Sequence, residues 1–304
     1  MIRTLGDYNI LERTGAGGLG EIYRARDTRR GRTVAIQIVA PDLAEDPVRR
    51  ERLLRDARAS EALSHPNIAA LYEVGEDQGE LFLVCEYVPG ETLKRMIGGR
   101  PVNTRHAVDI ATQIADALAD AHAADVVHRN INTETIIVTP KGNAKVLDFG
   151  LSAWTSREAQ GYQSPEQTIG EPCDFRTDIF SLGAVLFELL TGRPAFAAAT
   201  PDAAALQVVK AAVPAPSSIN PSLPRELDPI VAGAVSKSLD QRTESAALLA
   251  AELRTVAAIL DVRSEAAEAV NPSQSAVQRS YAGWILLVVV LVMLAAAGWW
   301  RWGG

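Results

Sequence analysis

The chain has 304 residues, 47% of them hydrophobic, with 30 basic and 37 acidic side chains and a net charge of −7. That length buries a sizeable core in one large domain or two lobes, and the acidic balance excludes a broad nucleic-acid-binding surface, so no nucleic-acid partner is expected. Only two cysteines occur, Cys85 and Cys173, in dissimilar contexts and without metal-ligand spacing, which argues for a reducing cytoplasm rather than a disulfide framework.

The N-terminal MIRTLGDYNILER is too polar for a signal peptide. YNILERTG, GEIYRARD, RTVAIQIVA and ELFLVCEYV then carry β-branched and aromatic residues in partial alternation between Gly or polar turns, and read as strands. One helical stretch, 47–63, rich in Arg and acids, lies among them. From about Glu91 the pattern turns helical. TRHAVDIATQIADALADAHAA aligns Val108, Ala111, Ala115, Leu118 and His122 on one face. DIFSLGAVLFELLTG is apolar nearly all round, hence buried, and stops at Gly192. A further helix is expected over 248–260, and the polar NPSQSAVQRS (271–280) reads as a juxtamembrane linker. No internal repeat is visible.

The segment YAGWILLVVVLVMLAAAGWW (281–300) contains no charge. At ~1.5 Å per residue it spans roughly the 30 Å hydrocarbon core of a bilayer. Tyr281 and Trp284 mark one edge and Trp299, Trp300 and Trp302 the other, as an interfacial aromatic belt does. A buried core helix is the alternative, disfavoured because the segment is not amphipathic. With only 301–304 after it, it is expected to be a C-terminal anchor. Arg279 and Arg301 flank it evenly, so charge hardly sets orientation; the lack of a signal peptide favours an N-terminus inside. Small residues from Ala295 to Gly298 offer a weak signal for helix pairing.

GAGGLG supplies Gly15, Gly17 and Gly20, a G-x-G-x-x-G match that is weak alone. A dinucleotide fold needs strand, glycines, then helix. Here the glycines lead into the alternating EIYRARD, and strand–glycines–strand is the protein-kinase arrangement, with the loop over nucleotide phosphates. VAIQ, SHPNI, LVCEYVPGETL, VVHRN, KVLDFG, GYQSPEQ and DIFSLGAVLFELLTGRPAF follow in kinase order and spacing. The chain resembles a bacterial serine/threonine protein kinase domain. The resemblance implies an α+β bilobal fold over 8–260, with a small β-rich lobe (8–88) and a larger helical lobe (89–260). A helix end and linker (261–280), the membrane helix (281–300) and a short tail (301–304) would follow.

Carried over residue by residue, the resemblance describes a degenerate member. The strand lysine is Gln37, and no lysine precedes Lys94; its helix glutamate partner is Asp56. Arg24 is a weak stand-in for the missing charge. In the loop HRNINTETII the general base is Asn130, which cannot accept a proton, the following lysine is Asn132, and the metal-binding asparagine is Thr135. The activation-segment threonine that bonds to that base and lysine is Ala159, and the segment is short. What survives is Asp148 of D-F-G as a metal ligand, the three glycines, Ile22, Ala35 and Ile137 around adenine, and the hinge residues Glu86 and Val88 with Cys85 as gatekeeper. ATP with Mg²⁺ is the implied ligand, weighed against inherited structure that no longer binds it. His128 and Phe149 are expected to pack together, Glu166 and Arg242 to form a buried pair, and Asp178 to support the loop. Arg129 would receive a phosphorylated Thr155 or Ser156.

Three readings follow. The leading one is a membrane-anchored pseudokinase at the bacterial inner membrane, its domain in the cytoplasm, acting by binding nucleotide or protein partners such as an active kinase or its substrate; a homodimer is compatible with it. The second is a weak or atypical ATP-dependent serine/threonine kinase that uses Asp148 and Mg²⁺ without a base. The third is a nucleotide-free scaffold.

Overall fold

A computed structural model describes residues 3–151 and 161–270. The chain divides into two compact units, Met1–Ala257 and Ala258–Gly304. The first holds both lobes; of the second, only the helix end 258–270 is described.

Six antiparallel strands form the small lobe: β1 (Thr4–Leu5), β2 (Tyr8–Gly17), β3 (Gly20–Asp27), β4 (Thr33–Val39), β5 (Leu71–Asp77) and β6 (Glu80–Glu86), in the order β1-β2-β3-β4-β6-β5. Helices α1 (Pro41–Ala44) and α2 (Pro47–Glu61) lie between β4 and β5 in sequence. Alternation of side chains sorts the two faces of the sheet. Val34, Ile36, Phe82 and Val84 pack with Leu5, Tyr8 and Ala25 on one face. Val39, Leu81 and Leu83 pack on the other with Leu43, Leu53 and Ala57 from the two helices. Ala35 and Gln37 belong to this second face, opposite Cys85 and Leu83 across the ladder. The same face therefore backs α2 and presents Ala35, Gln37 and Cys85 to the interlobe cleft.

The β2–β3 hairpin carries the glycines, pairing Gly15 with Ile22 and Gly17 with Gly20. Gly20 has φ +146°, and a Cβ there would stand 1.9 Å from the Ile38 carbonyl oxygen, so no other residue fits without moving β4. Leu19, at the hairpin tip, is fully buried against Val39, Leu43 and Leu53. Helix α2 starts at Pro47, with the Asp46 carboxylate accepting from the Val48 and Arg49 amides as an N-cap.

The large lobe contains α3 (Leu93–Ile97), α4 (Thr104–Ala123), α5 (Pro165–Ile169), α6 (Arg176–Thr191), α7 (Pro201–Lys210), α8 (Pro216–Ile219), α9 (Leu227–Ala234) and α10 (Ala246–Val270). All of α6 from Thr177 to Thr191 is buried, and Gly192 stops it in the left-handed conformation. The large lobe is helical as expected, with one addition, a three-stranded sheet of β7 (Glu91–Thr92), β8 (Ile136–Val138) and β9 (Ala144–Val146). Strands of two or three residues are too short for periodicity to register. The final helix also outruns the expected 248–260, because Ala- and Glu-rich residues continue its good helix propensity to Val270. Among the described residues no helix is long and apolar enough to cross a membrane. The segment 281–300, and with it Ala295 and Gly298, lies outside them.

Candidate nucleotide cleft

A cleft of about 410 Å³ opens between the lobes. Ile22, Ala35 and Cys85 from the sheet, the chain from Glu86 to Val88 that links the lobes, and Ile137 and Leu147 below make a largely apolar slot. Walls of this kind suit a flat heterocycle. Burial pushes the Cys85 thiol up, with Asp148 adding to it, so the gatekeeper stays protonated. Of the three glycines, Gly15 lines the cleft, while Gly20 is spent on the approach to Ile38. Gly17 lies over Gln37: a Cβ there would come 3.1 Å from Gln37 Nε2.

Gln37 is 5% exposed, and its Nε2 has no hydrogen-bond partner among the described residues. A buried amide donor without a partner costs about 1–3 kcal/mol, and an acceptor bound in the cleft would relieve it. Asp56 lies on α2, with its carboxylate 4.0 Å from Arg52 one turn earlier. Arg24 is not among the described residues that line the cleft; its Nε lies 2.9 Å from a Glu12 carboxylate oxygen without making a hydrogen bond, and its guanidinium is 5.9 Å from the Tyr87 ring centre. Neither lysine nor arginine occurs among the described residues that line the cleft.

The loop after α4 keeps its shape through bonds among its own residues. Asn132 is buried; its Nδ2 donates to the Asn130 carbonyl at 2.9 Å and to Asn130 Oδ1 at 3.3 Å. Its Oδ1 accepts from the Glu134 and Thr135 amides at 2.8 and 3.2 Å. The Thr135 hydroxyl accepts from the Asn132 amide and shares its single proton between the Asn130 and Asn132 carbonyls, all at 3.1 Å. Both side chains are thus committed to loop backbone rather than turned to a ligand. Asp178, fully buried on α6, accepts the His128 amide at 2.8 Å, the Arg129 amide at 2.6 Å and His122 Nε2 at 2.9 Å. Arg129 has φ +65°, a left-handed conformation held in place by that bond.

Below the cleft, Phe149 packs edge-on against His128, ring centres 4.7 Å apart at 82°. His128 Nε2 faces the Leu147 carbonyl at 2.7 Å and Nδ1 accepts the Asn130 amide at 3.1 Å, an arrangement that needs one N–H and one lone pair. Burial keeps that imidazole below its ordinary pKa and neutral. Asp148 lines the cleft with φ +58°; burial pushes its carboxyl up, against the pull of His128. The Ser60 hydroxyl on α2 donates to the Phe149 carbonyl, tying the helix to the D-F-G turn. Sequence reasoning passed over Ser60 and Leu19; the small polar residue one turn after Asp56, and an apolar tip among glycines, were the available signals.

Further down, Arg242 binds Glu166 with both terminal nitrogens, at 2.6 and 3.0 Å, and Thr177 Oγ1 donates to the same carboxylate at 2.9 Å. Burial alone would raise the Glu166 pKa; the guanidinium overcomes it and holds the group at about 2. The expected positions Ala159, Thr155 and Ser156 lie outside the described residues.

Comparison with known proteins places this architecture. Residues 8–253 match the model of the protein kinase domain. The chain belongs to the protein kinase family. A probable serine/threonine-protein kinase of Streptomyces coelicolor is 38% identical over 258 residues, covering 79% of this chain and 38% of that protein. Serine/threonine-protein kinase PrkC of Bacillus subtilis is 38% identical over 264 residues, covering 83% and 41%. This kinase-family chain thus spans about two fifths of the length of the curated relatives it matches. The crystal structure of a point mutant of the Mycobacterium tuberculosis PknI kinase domain superposes with a TM-score of 0.69 at 25% identity, covering 84% of this chain and 97% of that one.

Kinase domains use ATP with Mg²⁺. The residues present fit that ligand unevenly. The slot and the unpartnered Gln37 Nε2 suit the base and a nearby acceptor, and Asp148 is the residue that would hold a metal. The hydroxyl of Thr135 is already engaged, and no cation lines the phosphate end among the described residues.

Proposed function

We propose that this kinase-family chain is a pseudokinase, acting in signalling through nucleotide and protein binding rather than phosphoryl transfer. The observation that carries this reading is the inward bonding of Asn132 and Thr135, beside an Asn130 amide that cannot take a proton. Losing a general base costs about 10²–10⁴-fold in rate. Losing the positive charge that steadies a transferring phosphoryl group compounds it. Any nucleotide would sit in the slot between Ala35 and Ile137, with Asp148 on its metal. When bound, Mg²⁺-nucleotide supplies the phosphoryl group and its charge neutralisation; the chain supplies the apolar walls, the Gln37 donor and the hinge backbone. Partners are expected to be proteins, an active kinase or its substrate, met at a membrane through the segment 281–300.

A weak serine/threonine kinase is the second reading. It is favoured by the seated D-F-G turn, with Phe149 against His128 and Asp148 in the cleft, and by relatives that bear kinase names. The two part company in an autophosphorylation assay of the full chain with an Asp148→Ala control. The pseudokinase reading expects no signal above that control, and signal appearing only after Gln37→Lys, Asn130→Asp and Asn132→Lys together. Phosphotransfer by the unaltered sequence, abolished by Asp148→Ala, establishes the kinase instead. Thermal unfolding with ATP, with and without Mg²⁺, separates both from a nucleotide-free scaffold: ligand at 100 times its dissociation constant adds about 2.7 kcal/mol.

A further inference from the structure

Three carboxylates line the cleft, from Glu86, Glu134 and Asp148, and among the described residues no lysine or arginine does. Two of the three are neutralised from outside the lining: Lys145 Nζ is 2.7 Å from Glu86, and Lys94 pairs with Glu134. Both lysines are engaged by carboxylates of the cleft lining. Arg24, the basic residue that borders the hinge, is held by Glu12. Asp148 is left with no ion-pair partner among the described residues and lines the same cleft as Gln37. The described lining therefore offers an anion only neutral groups and the Asp148 carboxyl, which burial pushes toward its neutral form and which carries a negative charge whenever it is ionised. At the few-ångström distances inside a cleft, such a charge is only partly screened by solvent.

A polyanion and a neutral ligand meet this site differently. The apolar slot of Ile22, Ala35, Val88 and Ile137 rewards burial of a flat base whatever the base carries. The Gln37 amide can satisfy its donor on a hydroxyl or carbonyl oxygen as readily as on a phosphate, and with no charge to match. A triphosphate brings several negative charges that must leave water beside Asp148, with no guanidinium or ammonium among the described lining residues to receive them. Resting on the reading of this cleft as a purine site, we propose that it is selective for an uncharged purine nucleoside over the corresponding free nucleotide. Adenosine is the probe ligand. Metal then partly rescues ATP by cancelling ligand charge, and the protein reports a nucleoside pool instead of consuming a triphosphate.

The test is calorimetric titration of the full chain in detergent with adenosine, with ATP in a chelator, and with ATP plus Mg²⁺. The expected order is adenosine tightest, Mg²⁺-ATP next and metal-free ATP weakest, with adenosine at least about tenfold tighter than metal-free ATP. Two variants probe the cause. Gln37→Lys should tighten metal-free ATP about tenfold and leave adenosine no tighter; Asp148→Asn should tighten metal-free ATP and remove its dependence on Mg²⁺. Metal-free ATP binding the wild-type chain as tightly as adenosine overturns the selectivity while leaving the cleft a nucleotide site. No binding by any of the three ligands to a cooperatively folded chain removes the purine reading and this inference together. ATP unmoved by both variants, each shown to be folded, overturns the electrostatic cause.

Discussion

Replacing Gln37 with Met tests whether its amide is kept for a ligand rather than for the fold. The side chain is 5% exposed, its Nε2 has no partner among the described residues, and its other amide atom is not left bare in the same way. Removing one unsatisfied buried donor relieves part of a penalty of about 1–3 kcal/mol. Methionine is unbranched, of similar length, and adaptable enough to fill the same space beneath Gly17. The free protein should therefore become more stable by about 1 kcal/mol, the low end of that range because only half of the amide is orphaned. In a domain of this size that raises the melting temperature by about 2–4 °C. The same change should weaken purine binding by the worth of one hydrogen bond, about 0.5–1.5 kcal/mol, or roughly 2- to 12-fold. Urea unfolding of the full chain, with and without adenosine or Mg²⁺-ATP, reads both quantities in one experiment. A variant less stable than the wild type by about 1 kcal/mol or more would show that the amide is structural. An unchanged ligand-induced shift would show that it faces no ligand.

Arg242→Met should destabilise the protein by about 3–5 kcal/mol, because it strands the Glu166 carboxylate in the core. In the wild type the depressed Glu166 pKa, about 2 against an ordinary value of 4.5, contributes stability that is present above pH 4.5 and lost as pH falls through 2. The variant should lose this acid-sensitive contribution, and denaturant midpoints across that window would read it. Ser60→Ala leaves the Phe149 carbonyl without its donor and should cost about 1–3 kcal/mol; faster hydrogen exchange at Leu151, whose amide closes the D-F-G turn on Asp148, should accompany it. A chain ending at 275 should remain in the soluble fraction of disrupted cells, while the full chain should sediment with membranes and come free only with detergent. Equal partitioning of the two would remove the proposed anchor.

Much of the small lobe was legible because its strands alternate. Val34 and Ile36 face one core, and Ala35 and Gln37 face the cleft, with a period that survives tertiary packing. The strand following the glycines distinguished a hairpin from a dinucleotide turn in the same local way. The residues at 37, 130, 132 and 135 were readable as departures from the kinase pattern, without its charges and ligands at those positions. Their new bonding was not, because the direction in which Asn132 or Thr135 points is decided by which backbone groups loop closure brings within reach. Leu19 illustrates the same limit: nothing local to the glycine stretch marks it for the core, where the fold buries it fully. Sheet β7-β8-β9 escaped for want of length.

The bonds around Asn132 make the loop costly to alter one residue at a time. Its carboxamide holds four contacts, two to Asn130 and two to the amides of Glu134 and Thr135. A lysine at 132 would forfeit all of them, with each net bond worth about 1 kcal/mol, before residues 37 and 130 could make use of the new charge. Replacing Thr135 with Asn would remove the hydroxyl that binds both the Asn130 and Asn132 carbonyls. Changing 132 or 135 first takes the loop through a less stable protein. The side chains at 132 and 135 hold one another in place through the loop backbone, so a change at either is felt at both.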